Sequence, residues 1–579
     1  MTMVPVLKDV YPLKAQYMKG EPVEIAIEIE NFYDYDYSVQ LEIGIMDLNR
    51  TLSLETIVLK LPPQAVMTHV LTTGPYQTKM GGFGVDVLLH GGEAEPQRLS
   101  GSFDVVADWR KSLRYGFLSD FHPREAGDEQ DVALLNKLHL NLVQFYDWMY
   151  RHDDLVSPEE VFTDLMGREL SLGVVKKKIE LCHRYGMKAI AYGAVYAASR
   201  AFYDRHPDWA LYYNNGKVID FIDIFCIMNI AEQSPWHRHI IAEYRKAVEQ
   251  VDFDGIHMDT YGYPKTGFSR LGGELKPERL DGQFPVLIAN TRRELEQVRD
   301  DVCLIFNNVG NWPVDTVAAA PQDAVYIEVW NPYERYHHIA QIIAWAQQHG
   351  GGKPVILAAY LAPFRLEPAE QIDRAHVSAL LLSAVIFSHG ANHLLLGENG
   401  GVLTQGYYAD YSVASDAFIR EIRNYYDFMI RYLHVLYAPS LRDVSMTHVE
   451  GDNLEYVFAG APMSTYGEAG KVWTVVRENE AYKLISFINM TNNDEDYWNR
   501  GKKRPAPQGP VTVRILMDRE AESVFIASPD AGMGAPREVA AVYEDSPRGL
   551  TLTVTIPELH IWDLLVVEKG EKGALRGQV

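Results

Sequence analysis

Phe253-Asp-Gly-Ile-His-Met-Asp-Thr-Tyr-Gly262 is a short apolar run that opens on a turn and closes on an acid. It follows residues 234–250, where apolar side chains recur at helical spacing. A helix feeding a short, near-continuous apolar strand is the unit of a parallel sheet, whose strands are covered on both faces. The unit recurs along the chain. Strands are expected at 115–121, 141–147, 187–193, 255–260, 303–309, 324–330, 354–360 and 392–396, with helices at 172–185, 234–250, 285–301, 335–349 and 368–388. Eight strands alternating with helices is the count of a (β/α)8 TIM barrel. Periodicity alone leaves a doubly wound open sheet as the alternative.

On either side the rhythm changes. Glu21-Pro-Val-Glu-Ile-Ala-Ile-Glu-Ile-Glu30 alternates polar and apolar, as a half-buried strand does, and short runs follow at 40–45, 52–59, 66–71 and 84–89. Pro62-Pro63, Gly74-Pro75, Gly81-Gly82 and Gly91-Gly92 read as the turns between them. After the barrel, strand-like runs fall at 511–517, 523–526, 550–556 and 561–567, and the polar end 569–579 is expected to fray. The expected architecture is therefore multidomain. An N-terminal immunoglobulin-like β-sandwich (1–108) and a C-terminal β-sandwich (438–579) flank the barrel (109–437).

The 579 residues carry a formal charge of −24, which argues against nucleic acid and anionic membrane as partners, since both need clustered cations. Cys182, Cys226 and Cys303 lie far apart and read as buried, inert thiols. No Cys/His cluster has metal spacing, so neither a metal nor a cofactor is expected. Residues 1–20 lack the apolar core of a secretion signal, so the chain as it stands reads as cytoplasmic, or as a secreted protein lacking its leader. The apolar stretch 377–387 is too short to span a bilayer and reads as a buried helix. Oligomeric state has no signature here.

Functional residues of a barrel gather at the C-terminal ends of its strands. Read in order, those ends hold Asp120, then Gln144-Phe-Tyr-Asp-Trp-Met-Tyr-Arg-His152, Tyr192, Asp259, Asn307-Asn308, Glu328-Val-Trp330, Tyr360 and Glu398. Aromatic faces stack on sugar rings and carboxylates and amides pair with hydroxyls, so carbohydrate is the natural ligand. Glycoside cleavage needs one ionised and one protonated carboxyl group. Glu328, between Ile327, Val329 and Trp330, suits the acid, because apolar neighbours disfavour its charge. Asp259, near Asp254 and His257, is expected in a more polar setting where ionisation is easier. A lone acid at a strand end is more often a helix cap; two on separated strands among aromatics point to catalysis. Arg151-His-Asp-Asp154 has a solvated charge run as its plain alternative, His337-His338 reads as a surface pair, and Gly81-Gly-Phe-Gly84 as a turn.

Tyr115-Gly-Phe-Leu-Ser-Asp-Phe121, the block Gln144 to Asp153, Asp259-Thr-x-Gly262 and Tyr326-x-Glu-Val-Trp330 resemble glycoside hydrolase family 66. So do Gly390-Ala-Asn-His-Leu-Leu-Leu-Gly-Glu398 and Tyr407-Tyr408. The resemblance covers about residues 110–410, and the block from Gln144 is its most specific part. That family holds bacterial dextranases and cycloisomaltooligosaccharide glucanotransferases. The resemblance implies a retaining, double-displacement enzyme acting on α-1,6-glucosidic links of dextran or isomalto-oligosaccharides, with Asp259 as nucleophile and Glu328 as general acid/base. Tyr146, Trp148, Tyr150, Trp330 and Tyr360 are candidate sugar platforms; Asp120, Asp147, His152, Tyr192, Asn308 and Glu398 are candidate hydroxyl partners. Ile256-His-Met258 departs from the Trp and Gly more usual before that Asp in dextranases, which bears on substrate preference. The cyclising members carry a module inserted after the seventh strand. Leu361 to Pro368 leaves no room for one, which favours hydrolysis. A glucanotransferase or an exo-acting enzyme of the same family is the alternative, and a non-catalytic carbohydrate-binding barrel is a third reading.

Overall fold

The computed structural model describes residues 5–91, 95–449 and 453–570. The turn expected at Gly92, and all but the first two residues of the end expected to fray over 569–579, lie outside the described residues.

Eight parallel strands form the centre: β1 (Tyr115–Leu118), β2 (Leu142–Phe145), β3 (Lys188–Ala194), β4 (Gly255–Asp259), β5 (Cys303–Val309), β6 (Ala324–Glu328), β7 (Val355–Ala358) and β8 (Asn392–His393). A parallel bridge between Phe117 and Gly397 closes the sheet on itself. The closed barrel replaces the open-sheet alternative. Gly255 and Gly397 sit where the barrel is tightest: a Cβ on the first would stand 1.8 Å from the Cys303 carbonyl oxygen, and on the second 2.4 Å from the Phe117 ring. Helices fill the expected gaps, at Leu172–Arg184, Pro235–Val251, Phe284–Leu295, Tyr336–His349 and Asp373–Ser388. The third stops six residues before the expected end at 301. Asp373–Ser388 is apolar all round because it is covered all round, by the barrel, by helix Asp416–Arg431 and by strand Tyr482–Asn489 of the next domain. Among the described residues no helix is long and apolar enough to cross a membrane.

The N-terminal domain packs a sheet of Val6–Pro12, Val23–Asn31 and Ala65–Thr73 against one ordered Tyr17–Met18, Gln97–Val106, Met80–His90, Tyr37–Asp47, Arg50–Leu61. The first strand is split between the sheets, antiparallel in one and parallel to Gln97–Val106 in the other, which is an immunoglobulin-type arrangement. Gly81-Gly-Phe-Gly84 is not a turn. It lies inside strand Met80–His90, and its glycines let helix Asp416–Arg431 approach: a Cβ on Gly82 would stand 1.8 Å from the Ile430 oxygen. The C-terminal domain stacks Val472–Glu478, Tyr482–Asn489, Trp562–Glu568 and Ser523–Ala527 in one sheet against Tyr456–Ala459, Val511–Met517, Gly549–Ile556 and Ala541–Ser546 in another. Val476, Ile485, Val513 and Val554 fill the space between.

Two plainer readings are set aside. His152 and Asp153 are buried, and Asp153 accepts the Ser199 N–H at 2.7 Å, so 151–154 is not a solvated run. His337 is packed in the seam with the C-terminal domain, stacked on Tyr466 at 4.6 Å. The three cysteines are buried and free, and burial pushes the Cys226 thiol up to about 11.

Candidate active site

Asp259 ends β4 and Glu328 ends β6, and β5 lies between them. The register pairs Met258 with Phe306 and Val309 with Glu328, so Asn307 stands beside Asp259 and two positions short of Glu328, on the same face of the sheet. Its amide nitrogen donates to Asp259 Oδ1 at 2.7 Å and to Glu328 Oε2 at 2.9 Å. The two oxygens therefore lie no further apart than those two bonds laid end to end. A shared donor of this kind suits the closer carboxyl pair of retaining glycosidases, about 5–5.5 Å, better than the roughly 6.5–9.5 Å of inverting ones. Each acid has a tyrosine of its own: the Tyr192 hydroxyl donates to Asp259 Oδ2 at 2.7 Å, and the Tyr360 hydroxyl to Glu328 Oε1 at 2.9 Å.

Both carboxyl groups are held above their ordinary pKa. Burial is the main cause for each, the nearby Glu328 adds to it at Asp259, and the Asn307 and tyrosine hydrogen bonds pull the other way. Two acids this close release their protons as a pair, so one proton is shared over an intermediate range of pH. The polar setting expected around Asp259 is not what the fold provides. Asp254 stands at the other end of β4, five residues or about 16 Å along the strand. There it accepts bonds from His183, Ala189 and Arg299. His257 does face the cavity, but burial pushes it down to about 3, so it is neutral, and its Nδ1 is 2.9 Å from the Tyr115 hydroxyl.

The pair lies in a cavity of about 620 Å³ at the C-terminal end of the barrel. Of the residues named from sequence, Tyr146, Tyr192, Trp330 and Tyr360 line it with Asp259 and Glu328. Asp147 is buried just behind, 3.8 Å from Arg168, and burial pushes it up to about 7. His152 is buried against Phe225 and Tyr192 and is pushed down to about 3. The others are elsewhere. Trp148 is fully buried on Phe253 with its indole N–H on the Tyr192 carbonyl, so it is core and not a platform. Tyr150 packs on Phe162 under the Arg151 guanidinium. Asn308 points away from the cavity and donates to the Tyr326 carbonyl. Asp120 pairs with Arg124 at 2.7 Å in a separate hollow. Glu398 is fully buried and holds the β1 end, accepting from Ser119 N, Ser119 Oγ and Asp120 N.

Several lining residues were given no site role from sequence. Asn307 is the most important: it was noted at its strand end, but only its neighbour Asn308 was made a candidate. Tyr408 stacks on Tyr146 at 4.4 Å and meets the hydroxyls of Tyr326 and Tyr360 at 3.0 and 3.1 Å. Tyr261, Phe221 and Met166 complete the apolar rim.

The model of glycosyl hydrolase family 66 matches residues 12–566. A cycloisomaltooligosaccharide glucanotransferase from Niallia circulans is 22% identical over 97% of this chain and 72% of its own length. A dextranase from Streptococcus salivarius is 22% identical over 80% of this chain and 64% of its own length. Among solved structures, a Paenibacillus cycloisomaltooligosaccharide glucanotransferase complexed with cycloisomaltoheptaose superposes with a TM-score of 0.87 at 19% identity, over 97% of this chain and 99% of that one.

Proposed function

The chain belongs to glycosyl hydrolase family 66, and from that premise we propose that it hydrolyses α-1,6-glucosidic bonds of dextran or isomalto-oligosaccharides with retention. The observation that carries the reading is the Asn307 amide bonded to both carboxylates, which holds one oxygen of Asp259 and one of Glu328 close together, as double displacement requires. Asp259, its oxygens fixed by Tyr192 and Asn307, gives an electron pair to the anomeric carbon. The bond to the departing 6-oxygen breaks, and that oxygen takes the proton of Glu328. Glu328 then removes a proton from water, whose oxygen displaces Asp259 from the glucosyl-enzyme. The neutral aromatic walls suit a neutral sugar.

A glucanotransferase is the second reading, favoured by the likeness to two such enzymes. Against it, the chain leaves β7 and reaches helix Asp373–Ser388 through only the short helices Pro363–Leu366 and Ala369–Gln371. Incubation with high-molecular-weight dextran separates the readings. Linear products whose first-formed anomer is α support hydrolysis with retention; cyclic products support transfer; a first-formed β-anomer refutes both. Asp259→Ala is expected to lower kcat on the order of 10⁴-fold or more. Unchanged turnover in that variant would remove the nucleophile from the scheme.

A further inference from the structure

Trp330 and Tyr360 line the catalytic cavity and also a second hollow of about 340 Å³ beside it. Part of that hollow's wall belongs to the C-terminal domain, in the segment from Tyr497 to Arg500. The segment is fastened to the barrel by main-chain and side-chain bonds. Tyr336 N donates to the Asp496 oxygen at 3.0 Å, Trp498 N to the Glu334 oxygen at 3.1 Å, the Trp498 indole to the Tyr333 oxygen at 2.6 Å, and Ala362 N to Asn499 Oδ1 at 2.9 Å. What the segment leaves open is polar. Among the described residues the Asn499 amide nitrogen has no acceptor, and Arg500, stacked on Tyr497 at 4.2 Å, has no hydrogen-bond or ion-pair partner. Trp330 is 43% exposed and offers an aromatic face.

The position of the hollow follows from the chemistry of Glu328. This acid protonates the oxygen that leaves, so the departing sugar stands on its side of the cleft. Tyr360, which bonds Glu328 Oε1, is shared by the two hollows; Tyr192 and Asn307, which hold Asp259, line only the first. We propose that the second hollow binds the departing glucosyl unit, and the acceptor in any transfer, with Trp330 under the ring and Asn499 and Arg500 on its hydroxyls. The C-terminal domain is then part of the active site. An anionic ligand is not required, because Glu334 in the same wall supplies an acceptor for hydroxyl protons.

This inference rests on the α-1,6-glucosidase reading, and the test separates the two. Arg500→Ala and Asn499→Ala in the full chain are compared on dextran and on p-nitrophenyl α-isomaltoside, whose aryl leaving group does not fill a sugar site. Loss of a hydroxyl contact to a charged donor is expected to lower kcat/KM on dextran by about tenfold more than on the aryl substrate. In the same variants, half-maximal transfer from the aryl donor to added isomaltose is expected to need about tenfold more isomaltose. Equal losses on both substrates, or none on either, overturn the subsite while the glucosidase reading stands. No α-1,6 cleavage by the unmodified protein overturns both.

Discussion

Asn307 gives both hydrogens of its amide to carboxylates, and its own Oδ1 is buried without a partner among the described residues. It therefore favours the ionised form of each acid, and the tyrosines decide how that preference is divided. Tyr192 stabilises only Asp259 as a carboxylate; Tyr360 stabilises only Glu328. Removing either donor raises the pKa of the acid it served. If Asp259 is the ionised member at the working pH, Tyr192→Phe moves the acidic limb of the kcat/KM profile to higher pH. Tyr360→Phe moves the basic limb to higher pH instead, because Glu328 keeps its proton longer. Each shift is expected to be about one pH unit, the worth of a hydrogen bond to a charged group. The opposite assignment of limbs would put the shared proton on Asp259 in the free enzyme. Asn307 itself was hidden by its neighbour. Asn307-Asn308 offers two identical side chains, and only the pleat of β5 and its register with β4 decide which one faces the cavity.

At the scale of elements, the eight strands were readable because each is an apolar run behind an amphipathic helix, but most were read two or three residues too long. β2 ends at Phe145 and β6 at Glu328, so the residues beyond them no longer alternate in and out. Asp147 adopts a positive φ of 48°, which turns the chain so that Tyr146 enters the cavity while Trp148 goes beneath it. Periodicity does not report such a turn, since nothing in Tyr146-Asp147-Trp148 marks it. The block from Gln144 carried the family resemblance, yet only part of it lines the cavity. Two strands of the C-terminal domain, Val472–Glu478 and Tyr482–Asn489, were not read from sequence at all. Trp148 gives the element-scale prediction. Trp148→Ala removes a fully buried ring from Phe253 and is expected to cost about 3–5 kcal/mol in denaturant unfolding. A sugar platform would instead show an intact transition and a raised KM.

At the scale of the whole molecule, the N-terminal sandwich is joined to the barrel by charged groups taken out of water in pairs. Arg114, just before β1, sets its guanidinium against Asp104 of the N-terminal sandwich at 2.8 and 3.0 Å, and both side chains are almost completely buried. Its remaining donors reach the carbonyls of Ala15, Ser112 and His139. Arg431, from helix Asp416–Arg431, repeats the device, reaching Asp86 through the gap left by Gly84. Among the described residues nothing of the N-terminal domain lines the catalytic cavity; the domain covers and fixes the strand β1 side of the barrel. Removing one member of a buried pair leaves the other charge without its counterion, which costs about 3–5 kcal/mol. Asp104→Ala is therefore expected to lower the unfolding free energy by that amount, read from chemical denaturation, with KM on dextran little changed in the folded fraction. Asp104→Asn keeps an acceptor for Arg114 and is expected to lose less, because one neutral bond replaces two charged ones. Equal losses from Ala and Asn would mean that the charge, not the hydrogen bond, is what Arg114 requires.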